Sequence, residues 1–180
     1  MLLLGCKPPG RHTEQHDIFF GIAAELRDLV LEIQEFWPGP EKIHIDTWRE
    51  VNQVEGFQIK IHSREHNEEL THQAPRLFFI NLGGYQENIF EEQHYNLLTV
   101  KVNRSAAYKK AKETLFFREN HFPGAESHID DKYGIDVDDL YEIEEMLSQA
   151  QKEKYQIELL PAESFQEDII HLGYIKLSSL

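Results

Sequence analysis

A chain of 180 residues that is 41% hydrophobic can bury a core, either as one domain or as two small fused halves. Its 32 acidic against 18 basic residues leave a formal charge of −14. That balance opposes phosphate backbones and anionic lipid, so no nucleic-acid or membrane partner is expected. Cys6, the sole cysteine, excludes an intrachain disulfide and fits a reducing, cytoplasmic setting. Leu3-Leu4-Gly5-Cys6 lacks the basic start and apolar run of a signal peptide, and no apolar stretch approaches bilayer length.

The first strand is expected at about 2–5, and a loop with Lys7, Arg11 and His12, the one basic cluster, follows it. Phe19, Ile22, Leu26, Leu29, Ile33 and Phe36 form a helical stripe that could make residues 17–37 one helix. The matching segment of the second half argues for a strand at about 16–24 instead, because Asn96, Leu98, Val100 and Val102 alternate with Tyr95, Leu97, Thr99 and Lys101. Asp28 then caps a helix that Pro38-Gly39-Pro40 stops near Trp37. Strands at about 41–48 and 56–62 complete a first half, and polar residues 63–75 read as a linker. The second half predicts strands at about 76–83, 94–102, 126–132 and 154–160, and a helix capped by Ser105 that runs to about Phe117. An inserted helix at about 138–151, capped by Asp138 or Asp139, and a last strand within 169–177 follow.

Three blocks recur in order. Leu4-Gly5 with Glu14-Gln15-His16 returns as Leu82-Gly83 with Glu92-Gln93-His94, at an offset of 78. His44-Ile45-Asp46 returns as His128-Ile129-Asp130 at an offset of 84, and Phe57-Gln58-Ile59-Lys60-Ile61 as Tyr155-Gln156-Ile157-Glu158-Leu159 at 98. Ordered repetition implies an internal duplication with extra residues in the second copy. The expected fold is α+β: two ββαββ repeats, residues 1–62 and 76–180, in one globular unit about a pseudo-twofold axis. The sheet should be mostly antiparallel with helices on one face, and the apolar face left over favours a homodimer.

The run from Leu4 to Ile22, with Lys7-Pro8-Pro9-Gly10-Arg11-His12 and Glu14-Gln15-His16, resembles the signature of a bacterial family known as domain of unknown function 1543. His44-Ile45-Asp46-Thr47-Trp48-Arg49-Glu50-Val51 resembles its second characteristic run. The resemblance extends over most of the chain, with a first strand shorter than its partner Leu77–Leu82. It implies no established activity, cofactor or catalytic residue.

Two chemistries suit the residues singled out. His16, His44 and Asp46 offer the imidazole and carboxylate donors that bind a divalent metal, and His44 and Asp46 share a strand face. The plainer reading makes each His a partner of backbone and each Asp a turn residue. Lys7, Arg11 and His12, with Glu14 and His16 beside them and Trp48-Arg49 as a stacking wall, are candidates for holding a small anionic ligand. As a thiol nucleophile Cys6 is outweighed by its reading as a small buried hydrophobe. The aspartates of residues 130–139 miss the EF-hand spacing and read as a solvated loop and helix cap. No Walker A loop, G-x-G-x-x-G or G-x-S-x-G motif is present. Function is therefore unknown, with a non-catalytic binding or interaction protein holding no tight cofactor as the leading expectation. The rival is a metal-assisted or acid–base enzyme acting on a small anionic substrate.

Overall fold

The computed structural model describes residues 1–39, 42–64, 75–84, 88–113, 135–164 and 166–180. Two compact units divide the chain: residues 1–70 with 146–180, and residues 71–145. Each is α+β, and every ladder among the described residues is antiparallel. No helix among them is long and apolar enough to cross a membrane.

The first unit is built on a four-stranded sheet that contains β1 (Leu2–Cys6), β2 (Gln15–Phe19) and β3 (His44–Trp48). A 3-10 turn (Leu26–Leu29) and helix α1 (Val30–Phe36) connect β2 to β3. Alternation along β1 sends Leu2, Leu4 and Cys6 to one face, where Leu29 and Ile33 pack on them with Ile45 from β3. Burying a side chain such as Leu4 or Ile33 contributes about 2 kcal/mol. Leu3 and Gly5 therefore belong to the other face. Strand β2 ends at Phe19, short of the expected residue 24. The reason is a capping box: Glu25 is the N-cap and Asp28, expected as the cap, lies inside the first turn and accepts from the Glu25 N–H at 3.1 Å.

Two further strands, β4 (Gln53–Val54) and β5 (Phe57–Ser63), form a second sheet with β9 (Tyr155–Pro161). The last strand, β10 (His171–Lys176), lies beside β3, which gives the larger sheet the order β10-β3-β1-β2. Ladder irregularities fall between Leu3 and Leu4 and between Leu172 and Ile175; Gly173, with φ at +146°, occupies the second.

The second unit has the order β7-β6-β8, from β6 (Arg76–Gly84), β7 (Gln93–Lys101) and β8 (Ile135–Glu142). Helix α2 (Arg104–Lys112) packs Ala107 and Ala111 against Phe78, Ile80 and Leu82. Its cap is Asn103, whose side chain accepts from the Ala106 N–H at 2.9 Å, rather than Ser105. The helix expected over 138–151 is strand as far as Glu142. Helical residues follow only as α3 (Ile143–Met146) and α4 (Gln149–Lys154). A strand as buried as β6 needs hydrogen-bonding neighbours on both edges, and this demand overrides the helical spacing of Leu140, Ile143 and Leu147. The expected strand at 126–132, with His128 and Asp130, lies outside the described residues, as does most of the expected linker.

Candidate functional site

On the sheet face opposite the first unit's core, one transverse row crosses all four strands. Lys176 of β10 is registered opposite His44 of β3, His44 opposite Gly5 of β1, and Gly5 opposite His16 of β2. Cross-strand partners share a face, so the missing side chain at Gly5 leaves a gap flanked by two imidazoles. An added Cβ there would lie 2.5 Å from His44 Nε2 and 2.6 Å from Asp46 Oδ2, which shows that these side chains lean over the glycine.

Four donor side chains meet at this gap. His44 Nε2 is 3.2 Å from Glu14 Oε1 and 3.2 Å from Asp46 Oδ1, while His16 Nε2 is 3.3 Å from Asp46 Oδ2 and 3.8 Å from Glu14 Oε2. These separations satisfy ion-pair distance but not hydrogen-bond direction at His44. Both of its ring nitrogens and Asp46 Oδ2 are buried without a hydrogen-bond partner. His44 is 3% exposed, and Tyr174 packs on its ring at a centroid distance of 4.1 Å. A buried, unsatisfied imidazole is costly and calls for an additional partner.

The donor set suits a divalent cation. The four separations do not outline a single tetrahedron of ligand atoms, because each carboxylate turns one oxygen toward His44 and the other toward His16. Among the described residues no group of three or more His, Cys, Asp or Glu side chains is placed so that it could hold a metal ion as the side chains stand. Glu14 and His16 are 43% and 46% exposed, so a closed shell would require their side chains to turn.

The remaining sequence candidates are distributed differently. Trp48 and Arg49 lie at the far end of β3, where Trp48 is registered opposite Leu2. The Trp48 ring stacks on His171 at 4.0 Å, and Arg49 exchanges backbone hydrogen bonds with Met1. They are parts of the fold's edge and do not reach the His16–His44 gap. Lys7, Arg11 and His12 are exposed on the β1–β2 loop that leads to Glu14, with a turn closed by Arg11 N–H and the Pro8 carbonyl. Cys6 is buried in the core, and burial, reinforced by the charge of Glu14, raises its pKa above the ordinary thiol value. This is the environment of an inert thiol. Gly5, Tyr174 and Lys176 were not singled out by sequence. The repeated Leu-Gly pair was the available signal for Gly5, whereas nothing local identifies the other two.

An α+β fold of antiparallel sheets with a histidine–carboxylate cluster defines the class of protein. Residues 11–61 match the model of the family described as Domain of Unknown Function (DUF1543). That segment contains all four donors, Glu14, His16, His44 and Asp46. The fold is similar to that in the crystal structure of a protein Il1583 from Idiomarina loihiensis, at 18% identity and a TM-score of 0.63, over 98% of this chain and 94% of that one. No curated protein matches the chain.

Proposed function

We propose that this protein holds a divalent cation through Glu14, His16, His44 and Asp46 and presents it to a small anionic molecule. The observation that carries this reading is the convergence of the four side chains over Gly5 around a buried His44 ring with no hydrogen-bond partner. It favours the metal-assisted reading over framework histidines that serve only the fold. A cation there polarises a ligand oxygen or lowers the pKa of a bound water. The mixed imidazole–carboxylate set suits zinc, iron or manganese. Elemental analysis of tag-free protein, with calorimetric titration of zinc and manganese, is the direct test. His16→Ala, His44→Ala and Asp46→Asn should each weaken binding by about tenfold or more. A folded wild-type protein that takes up neither ion at about 100 µM overturns the reading.

We also propose that the two sequence repeats are structural repeats, with residues 63–75 as their linker. Ladder register supports this: Gly5 faces His16 as Gly83 faces His94, and both central strands have an irregularity just before, at Leu3/Leu4 and Asn81/Leu82. The pairs His16–Glu14 and His94–Glu92 are each separated by 3.8 Å. Opposite Gly83 stands Asp136, as His44 stands opposite Gly5. In the β5–β9 ladder Lys60 faces Glu158, its own match at the offset of 98. Superposing β1–β2–β3 on β6–β7–β8 in an experimental structure tests the repeat; failure to align Gly5 with Gly83 and His16 with His94 refutes it.

A homodimer is supported by Ile169, Ile170 and Leu172, which are 72%, 58% and 82% exposed at the edge strand β10. Sedimentation that gives a monomer at micromolar concentration removes that proposal.

A further inference from the structure

At the β10 edge of the sheet that carries the four-donor cluster lies a cavity of about 580 Å³, lined by none of the four donors. Its wall contains Lys42, Lys176 and Tyr174, with Val30, Ile43 and Leu177 as apolar surface. The size is that of a small-molecule site. Two features connect it to His44. Tyr174 lines the cavity and packs on the His44 ring, and Lys176 is the cross-strand neighbour of His44. Two lysines converging on one cavity stand out in a chain with 32 carboxylate side chains against 18 cationic ones. Neither has a carboxylate partner among the described residues. Another cavity of the same unit, of about 420 Å³, carries the opposite charge, with Glu50, Glu167 and Asp168 in its wall.

We propose that the Lys42–Lys176 cavity recognises the anionic group of the ligand that the cation site serves. The ligand is a small carboxylate or phosphate ester: its charge lies between the two ammonium groups, and its apolar body rests on Val30, Ile43 and Leu177. Ammonium groups hold either anion as point charges, and apolar walls strengthen the interaction by excluding water. The loop residues Lys7 and Arg11 are not needed for this recognition. The inference rests on the cation site for its role but not for its measurement, because anion binding can be followed in metal-free protein.

The test is a nitrogen-15 NMR titration of metal-free protein with hexanoate, hexyl phosphate and neutral hexanamide. Hexanoate or hexyl phosphate should shift the amide signals of Tyr174, Lys176 and His44, while hexanamide should bind more weakly. Binding of one anion and not the other assigns the ligand as a carboxylate or a phosphate ester. Lys42→Gln and Lys176→Gln should each weaken binding about tenfold, the loss expected for one charge-assisted contact. Lys60→Gln, on the other sheet of the same unit, should leave it unchanged. Glu14→Gln should abolish zinc binding and retain the anion, which separates failure of the two sites. If neither anion moves these signals at about 10 mM, or if both folded lysine variants bind as the wild type does, the proposal is overturned.

Discussion

Replacing Gly5 by alanine probes the cluster with a single methyl group. The φ of Gly5 lies outside the left-handed region, so alanine suits its backbone, and relief of glycine's entropy cost alone should stabilise the strand by about 0.5–1 kcal/mol. The added Cβ, however, would stand 2.5 Å from His44 Nε2 and 2.6 Å from Asp46 Oδ2, inside any tolerable contact. The His44 ring cannot swing away freely, because it is buried and packed on Tyr174. Overpacking of this kind costs about 1–3 kcal/mol, so the net expectation is destabilisation by about 1–2 kcal/mol, with weakened zinc binding. A double-mutant cycle isolates the cause. In a His44→Ala background the ring is gone and Asp46 has room to rotate, so Gly5→Ala should become neutral or stabilising. Urea denaturation of the four proteins gives the coupling, expected at about 1–3 kcal/mol. If Gly5→Ala stabilises the otherwise wild-type chain, or costs the same in both backgrounds, His44 does not lean over Gly5 and the site argument fails with it.

Three further outcomes follow from the first unit. Gln151, 4% exposed, accepts from the Ile22 N–H and donates to the Ile22 carbonyl and to Glu32. Gln151→Ala should therefore cost about 2–3 kcal/mol in chemical denaturation, and a loss below about 0.5 kcal/mol refutes that accounting. Buried Cys6 should react with a thiol reagent at pH 8 at least about a hundredfold more slowly in native than in denatured protein; equal rates contradict its burial. In a chain that starts at Met1, burial first and the Arg49 charge second lower the terminal amine pKa from 8.0 to about 6, against the opposing pull of Asp168. Because the folded value is the lower one, this stability is present above pH 8 and is lost as pH falls to about 6, by at most about 2–3 kcal/mol. Nα-acetylation should abolish that increment of the pH dependence, and denaturation curves that move identically with and without the acetyl group refute it.

Local pattern revealed the strands and missed what depends on neighbours. Strands β1, β5, β6 and β7 were readable within about two residues because each alternates or carries a dense apolar run. The inserted helix was misread because Leu140, Ile143 and Leu147 fit a helical spacing, while the hydrogen-bonding demand of β6 is visible only in three dimensions. Caps were misplaced by two or three residues for a related reason. Asn103 and Ser105, like Glu25 and Asp28, are competing caps, and the choice depends on where the preceding strand releases the chain.

The site divides along the same line. That His44 and Asp46 come together was legible because residues two apart share a strand face, whereas Glu14 precedes β2 and its approach to His16 follows no such rule. What the sequence could not supply is the order of strands across the sheet, and here that order creates the chemistry. If β1 were an edge strand, His16 and His44 would lie in different places. Because it is central and has a glycine in the row between them, the two imidazoles flank a backbone position with no side chain of its own, over which His44 and Asp46 lean. The contribution of β10 was hidden more deeply. The irregularity at Gly173 breaks alternation between Leu172 and Ile175, so the facing of Tyr174 and Lys176 cannot be counted along the chain. The same irregularity sets Tyr174 against His44 and leaves Lys176 as its cross-strand neighbour. A bulge that straightened, or an alanine at position 5, would leave every donor present in the sequence and dissolve the arrangement. The function proposed here is thus a property of register, and perturbing register is the sharper test of it.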